Sequence, residues 1–259
     1  GSIRIWYRFK VMKKVLFNSI ILLVLACAED KAPDCIQTAG DRTSVEYSLE
    51  PFSKILVNEN IELVVKEGVD FHLSIEAGAH LISDISYTVS EDVLSLTDHN
   101  LCNWIRSYRP TKITVTTPNL TEIRSNSQYT IKSSGVLTFQ DLNLISENFR
   151  EDQLSLGDFD LVIQAESLNV ISNNLSQFII SGAVDNLSVG FYSGTTAFFG
   201  ANLLAQNVII SHRSSHDIVV HPLQSLKGEL RGTGNLISVH IPAEVDVTQL
   251  YTGALIFLY

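Results

Sequence analysis

The chain has 259 residues, of which 45% are hydrophobic and 18% charged, with a formal net charge of −10. A body this acidic repels nucleic-acid phosphates, so DNA and RNA are excluded as expected partners. The length allows one large domain or two small ones.

The first element in chain order is "KKVLFNSIILLVLACAEDK", Lys13 to Lys31. Its apolar run, Val15 to Ala26, has twelve residues, whereas a helix needs roughly 20 to cross a bilayer. Two lysines, a short apolar core and small residues at its end are the parts of a secretory signal peptide. Val24-Leu25-Ala26-Cys27 resembles the bacterial lipobox. That resemblance implies that Cys27 becomes the first residue of the mature chain, with a diacylglyceryl group on its sulfur and a further acyl chain, such as palmitate, on its amine. Two or more acyl chains anchor a protein stably.

Met12, the one methionine, directly precedes Lys13, so residues 1–11 are read as an extension upstream of the natural start. The expected division is 1–26, extension and lipoprotein signal peptide; 27–50, lipid-anchored linker; 51–259, folded domain. Removing residues 1–26 takes away Arg4, Arg8, Lys10, Lys13 and Lys14 and no acid, which leaves 233 residues with a formal charge of −15. The following Ala28-Glu29-Asp30-Lys31 resembles outer-membrane sorting and surface-export signals of Bacteroidetes lipoproteins. The implied location is the outer membrane, with the cell surface favoured over a periplasm-facing body. Cys35 and Cys102 are left either as a disulfide in an oxidising compartment or as two separate thiols. No CxxC or zinc-type spacing occurs.

From Phe52 onward, "FSKILVNENIELVVKEG", "FHLSIEA", "ISYTVSEDVLSLTD" and "TKITVTTP" alternate apolar with polar residues between Gly, Asn, Asp and Pro. This is the pattern of β-strands. From about residue 110 it becomes a repeat. One series of inward pairs is Ile113/Val115, Leu142/Leu144, Leu168/Val170, Leu187/Val189 and Val208/Ile210. A second series is Phe178/Ile180, Ile218/Val220 and Ile237/Val239, with Phe198 standing alone. The turn formers "SNN", "YSGT", "SHRSSH" and "GTGN" fall between them. A two-step unit of 18 to 21 residues with polar bends predicts an all-β, single-stranded β-solenoid of short irregular rungs. A β-sandwich shares the strand spacing. In the solenoid, Leu168, Leu187 and Val208 stack in register, as do Phe178, Phe198 and Ile218.

The order of these segments, ending in "LKGELRGTGNLISVHIPAEVDVTQLYTGALIF", resembles the putative auto-transporter adhesin, head GIN domain family, over roughly Phe52 to Phe257. The resemblance implies a right-handed β-helical body on an envelope lipoprotein, with no established activity. Where the family's turns favour Gly, this chain has Asn58, Asn60 and Ser125 to Ser127, of which Asn tolerates a left-handed backbone.

Candidate chemistry is sparse. His212, His216, His221 and Asp217 are the densest set of possible ligands, but on a strand His216 and Asp217 point to opposite faces. Glu151, Asp152, Asp158 and Asp160 are the best carboxylates, and Asp158 with Asp160 shares a face at a spacing open to glycosidic cleavage. Neither GxSxG nor a phosphate-binding glycine loop occurs. Among the aromatics, Phe198 is expected in the core; an alternating strand could turn Tyr192 or Phe199 outward as a sugar-stacking or protein-contact patch in place of core filling, Phe199 is left open between the two, and Phe191 is unassigned. No catalytic, cofactor or metal residue is expected. The expected function is a structural or adhesin-like binding module held to a membrane by its lipid, with a glycan or protein ligand. The alternative is a carbohydrate-active β-helix enzyme, a polysaccharide lyase or hydrolase.

Overall fold

The computed structural model describes residues 39–100, 109–148 and 155–258. Cys27, Cys35, Cys102, Glu151 and Asp152 lie outside the described residues. Strand covers 64% of the described residues, and they contain no α-helix. The strands are β1 (Arg42–Ser48), β2 (Lys54–Val57), β3 (Ile61–Glu67), β4 (His72–Gly78), β5 (Ile85–Ser90), β6 (Val93–Asp98), β7 (Thr111–Thr117), β8 (Glu122–Ser125) and β9 (Ile131–Leu137). They continue with β10 (Asp141–Ser146), β11 (Phe159–Ser172), β12 (Gln177–Phe191), β13 (Ala197–His212), β14 (Ile218–Leu230), β15 (Leu236–Ser238), β16 (Glu244–Gln249) and β17 (Leu255–Phe257).

The described strands belong to one curled sheet. Strands β11 to β14 each run 13 to 16 residues and bend midway, so each contributes to two walls. One wall carries the inward row Phe159, Phe178, Phe198, Ile218, Leu236 and Leu255, paired in parallel from rung to rung in steps of 18 to 20 residues. The other carries Leu142, Leu168, Leu187, Val208, Leu226 and Val245. The expected in-register stacks of Leu168, Leu187 and Val208, and of Phe178, Phe198 and Ile218, are therefore present. These side chains are buried except in the last rung, and most belong to one continuous core. Phe159 stacks on Phe178 with centroids 4.7 Å apart, and Phe178 on Phe191 at 6.0 Å.

Two sequence expectations are corrected. In β15 the buried residues are Leu236 and Ser238, while Ile237 and the following Val239 face outward. The pair Ile237/Val239 was one residue out, and a one-residue slip turns every side chain to the other face. Ile113 and Val115, in β7, belong to the phenylalanine wall through β3, not to the leucine row.

The winding is also less simple than a single-stranded helix. From β8 onward the chain adds rungs in order. Before that, β2 pairs with both β6 and β8, and β3 with both β7 and β9, so the rung made first lies between two made later. Antiparallel strands close this end: β1 on β4, β4 on β7 and β5 on β6.

Polar bends join the rungs. Buried hydroxyls donate to carbonyls of the preceding rung, as from Ser127 to Ile61 (2.8 Å), Thr196 to Asn174 (3.0 Å) and Ser214 to Thr196 (2.7 Å). Such bonds satisfy groups that would otherwise be buried without partners. Asn60 stands at φ 67°, the left-handed backbone expected of an Asn in place of Gly. Ser125 and Ser127 are buried and make side-chain bonds within their own turn. At Gly182, φ is +118° and a Cβ would lie 1.9 Å from the Ile163 carbonyl oxygen, so the bend between the two halves of β12 requires glycine.

Candidate functional site

The polar residues singled out from the sequence do not converge. His216 donates from Nδ1 to the Thr195 carbonyl at 2.8 Å, and His221 from Nδ1 to the Ala201 carbonyl at 3.0 Å. Asp217 accepts the backbone N–H of Asn235 at 2.7 Å, and Asp158 that of Gln177 at 2.8 Å. Each side chain binds the backbone of a neighbouring rung about twenty residues away, which is a structural use. Asp160 is exposed, with Lys132 beside it in register on the adjacent strand. Lys132 in turn bridges to Glu62 at 3.2 Å. Among the described residues no group of three or more His, Cys, Asp or Glu could hold a metal ion.

His212 stands apart. It is fully buried at the end of the leucine wall, in the row Ser172, Phe191, His212, Leu230, and neither ring nitrogen has a hydrogen-bond partner. Burial pushes its pKa below the ordinary histidine value, against the opposing pull of the Asp217 charge and the backbone of Asn235 and His216.

The distinctive surface is the outer face of the phenylalanine wall. The outward residues Ile179, Phe199, Val219, Ile237 and Ile256 are paired in register across five successive rungs. At a strand spacing of roughly 4.8 Å they form a continuous apolar ladder about 19 Å long. Ile179 is 44% exposed, Phe199 43% and Ile256 39%, so the ladder meets solvent. Val162 and Leu258 add exposed apolar surface beside it. The row that pairs across the outside of the leucine wall reads Asn143, Asn169, Ser188, Ile209, Lys227 and Asp246, polar at every rung but one. The two walls share one backbone plan and differ in outward chemistry.

Sequence reasoning placed Phe198 inside and left Phe199 open between core and surface: Phe198 is buried, Phe199 and Tyr192 are exposed, and Phe191 is core. It missed Ile179, Val219, Ile237 and Ile256. The signal was present as unbroken apolar runs, Phe178-Ile179-Ile180, Ile218-Val219-Val220 and Leu255-Ile256-Phe257, where the other wall alternates at every rung but Val208-Ile209-Ile210. Strands covered on both faces read as continuous hydrophobic runs.

A cleft of 630 Å³ lies where β11 to β13 bend between the walls, lined among others by Gln164, Glu166, Asp185, Leu204 and Gln206. Glu166 accepts from Gln140 Nε2 at 3.0 Å. The cleft's lining residues carry two carboxylates, amides and the Thr138 hydroxyl, and include no histidine, cysteine, lysine or arginine.

Residues 51–242 match the family described as "Putative auto-transporter adhesin, head GIN domain". The chain belongs to this family. Three solved structures resemble this head GIN domain in fold. A putative adhesin from Bacteroides fragilis is 19% identical with a TM-score of 0.74, covering 84% of this chain and 97% of its own. A putative lipid binding protein and a putative adhesin, both from Parabacteroides distasonis, are each 14% identical over 85% of this chain and 98% of theirs, with TM-scores of 0.58 and 0.60. No curated protein matches the sequence. At these identities the likeness shows the fold of the head GIN domain alone.

Proposed function

We propose that this head GIN domain protein is a lipid-anchored envelope protein of the outer membrane, displayed at the cell surface, whose body is a rigid binding module and not an enzyme. The observation that carries the reading is the exposed apolar ladder on a wall whose polar neighbours are tied into rung-to-rung bonds. The body is read as a β-solenoid, which the in-register parallel pairing from β8 onward supports. The right-handed sense follows the strong preference of parallel crossover connections. Family membership supports an adhesin-like role and an envelope location. The lipobox at Cys27 supports the anchor, and Ala28 to Lys31 support outer-membrane sorting and surface display.

Catalysis needs titratable groups that converge on a reacting atom, with pKa values moved by burial or partners. Asp158 is turned to the Gln177 amide and Asp160 lies beside Lys132, so the carboxylates lack such convergence. The purified body is expected to turn over none of a panel of plant, host and bacterial polysaccharides, with or without calcium or zinc. Clustered on beads, it is expected to retain a protein ligand with an apolar face that it holds weakly as a monomer, and Phe199→Glu is expected to reduce that retention. Polysaccharide cleavage lost on Asp158→Asn or Asp160→Asn would establish the enzyme instead.

A further inference from the structure

We propose that the outer face of the phenylalanine wall docks against the same face of a second copy of this chain, forming a two-fold dimer on the membrane. This names the partner of the wall described above and rests on reading that wall as the binding surface.

The ladder from Ile179 to Ile256 contains no charged side chain and no hydrogen-bonding side chain, so it has nothing with which to read a polar ligand. Its occupant is apolar. Asp217, two residues before Val219 on the same side, is turned to the Asn235 amide. A phospholipid surface fits poorly, because docking there favours Lys and Arg around the apolar patch. The margin here instead holds Asp158, Asp160 and Asp217, and the cation on the adjoining strand, Lys132, is paired with Glu62. An identical wall satisfies the same chemistry from both sides. A two-fold interface places one patch against itself, and two such walls bury aliphatic and aromatic groups against each other, with Asp160, the next residue of the row after Ile179, at the edge of the contact.

The contact area sets the strength. A ladder of five strands, about 19 Å across the stack and about 20 Å along six residues of strand, gives roughly 380 Å² per copy. A standard stable interface takes about 800 Å² per partner. The dimer is therefore weak between free molecules, and the formal charge of −15 on each copy after removal of residues 1–26 adds repulsion. Copies held on one membrane meet at a raised effective concentration, which is the condition under which a weak contact is populated. Salt screens the repulsion between the acidic bodies and leaves the apolar contact intact, so dimerisation increases with ionic strength.

Val219 is at the middle of the ladder, so in either two-fold orientation the two Val219 positions come close together. The full-length chain carrying Val219→Cys, treated with a short bis-maleimide in isolated membranes, is expected to give a dimer band above the wild-type background, increasing with added sodium chloride. Ser188→Cys, on the outside of the leucine wall, is expected to give none, and Phe199→Glu added to Val219→Cys is expected to abolish the band. Absence of the Val219→Cys dimer, or its persistence with Phe199→Glu, overturns the self-docking. The bead assay then separates the two readings. If Phe199→Glu still lowers ligand retention, the wall binds a different molecule and the functional reading stands; if retention is unchanged, the wall is not the binding surface and both fall. Protection of the Val219→Cys thiol by zwitterionic phosphatidylcholine vesicles, with no dimer, would overturn self-docking in favour of a lipid surface.

Discussion

His212 makes the fold sensitive to acid in a predictable direction. Its ring is fully buried between Phe191 and Leu230 in the row across the rungs, with both nitrogens lacking partners. Burial lowers its folded-state pKa. In the unfolded chain it takes up a proton near the ordinary value of about 6.5. Stability is therefore complete above that pH and is lost as pH falls toward the lowered folded value, because the unfolded state gains the proton first. The most this one group can remove between about pH 7.5 and about pH 5 is roughly 2 kcal/mol, the limit in which the folded ring stays neutral throughout. The test substitution is His212→Leu, since leucine has a similar volume and a leucine already occupies the next rung of the row. At neutral pH the variant is expected to be at least as stable as the wild type, because an unpartnered buried polar group costs about 1–3 kcal/mol. At the lower pH the variant's advantage is expected to widen, by at most about 2 kcal/mol, or roughly 4–8 °C in a thermal melt of a domain this size. Every other titrating group contributes equally to both proteins and cancels in the difference. Equal loss of stability by the two proteins between these pH values would refute the reasoning.

Leu187 lies between Leu168 and Val208 in the core, so Leu187→Ala is expected to cost about 2–5 kcal/mol in chemical denaturation. Leu187→Asp buries an unpaired charge and is expected to prevent folding, visible as loss of the cooperative melt. Gly182→Ala places a Cβ against the Ile163 carbonyl at a positive φ, and a fall in melting temperature corresponding to at least about 1–3 kcal/mol is expected. Cys27→Ala is expected to abolish labelling of the protein by a fatty-acid analogue and to move the body to the soluble fraction; membrane attachment that persists would show an uncleaved apolar segment.

The leucine wall was legible because its alternation is clean at every rung but Val208-Ile209-Ile210. Leu168-Asn169-Val170 and Leu187-Ser188-Val189 assign inside and outside without ambiguity, and the register follows. In the phenylalanine wall the same rule fails locally. Leu236-Ile237 offers two apolar residues for one inward position, and period two alone cannot choose between them; the neighbouring rungs choose Leu236 by pairing it with Ile218. The interleaved rungs at the other end were not legible at all. Local pattern says that β2, β3, β6 and β7 are strands, but their order in the stack is set by pairing between distant segments. His212 was read as a residue of a polar bend because "SHRSSH" is polar. Its burial depends on Phe191 and Leu230, each about twenty residues away in sequence and adjacent in space.

A binding surface made from stacked rungs differs from one made of loops in what association costs. Loop surfaces lose conformational freedom when they bind, at about 0.5–1.5 kcal/mol for each side chain that becomes fixed. Along the ladder, Phe199 and Val219 are already held by backbone pairing on both sides, and Ile237 by β14 and β17. Residual freedom is confined to the side-chain rotamers, and β-branched Ile and Val have little of it. A small apolar contact that would be negligible on a flexible surface is thus retained more fully on this one. Such a surface holds partners that present a flat, uncharged face and rejects charged ones, because burying a charge without a partner is costly. If the ladder docks as proposed, it and the acidic remainder of the body act together: the first allows weak apolar contact at one wall, and the second keeps free copies from associating elsewhere.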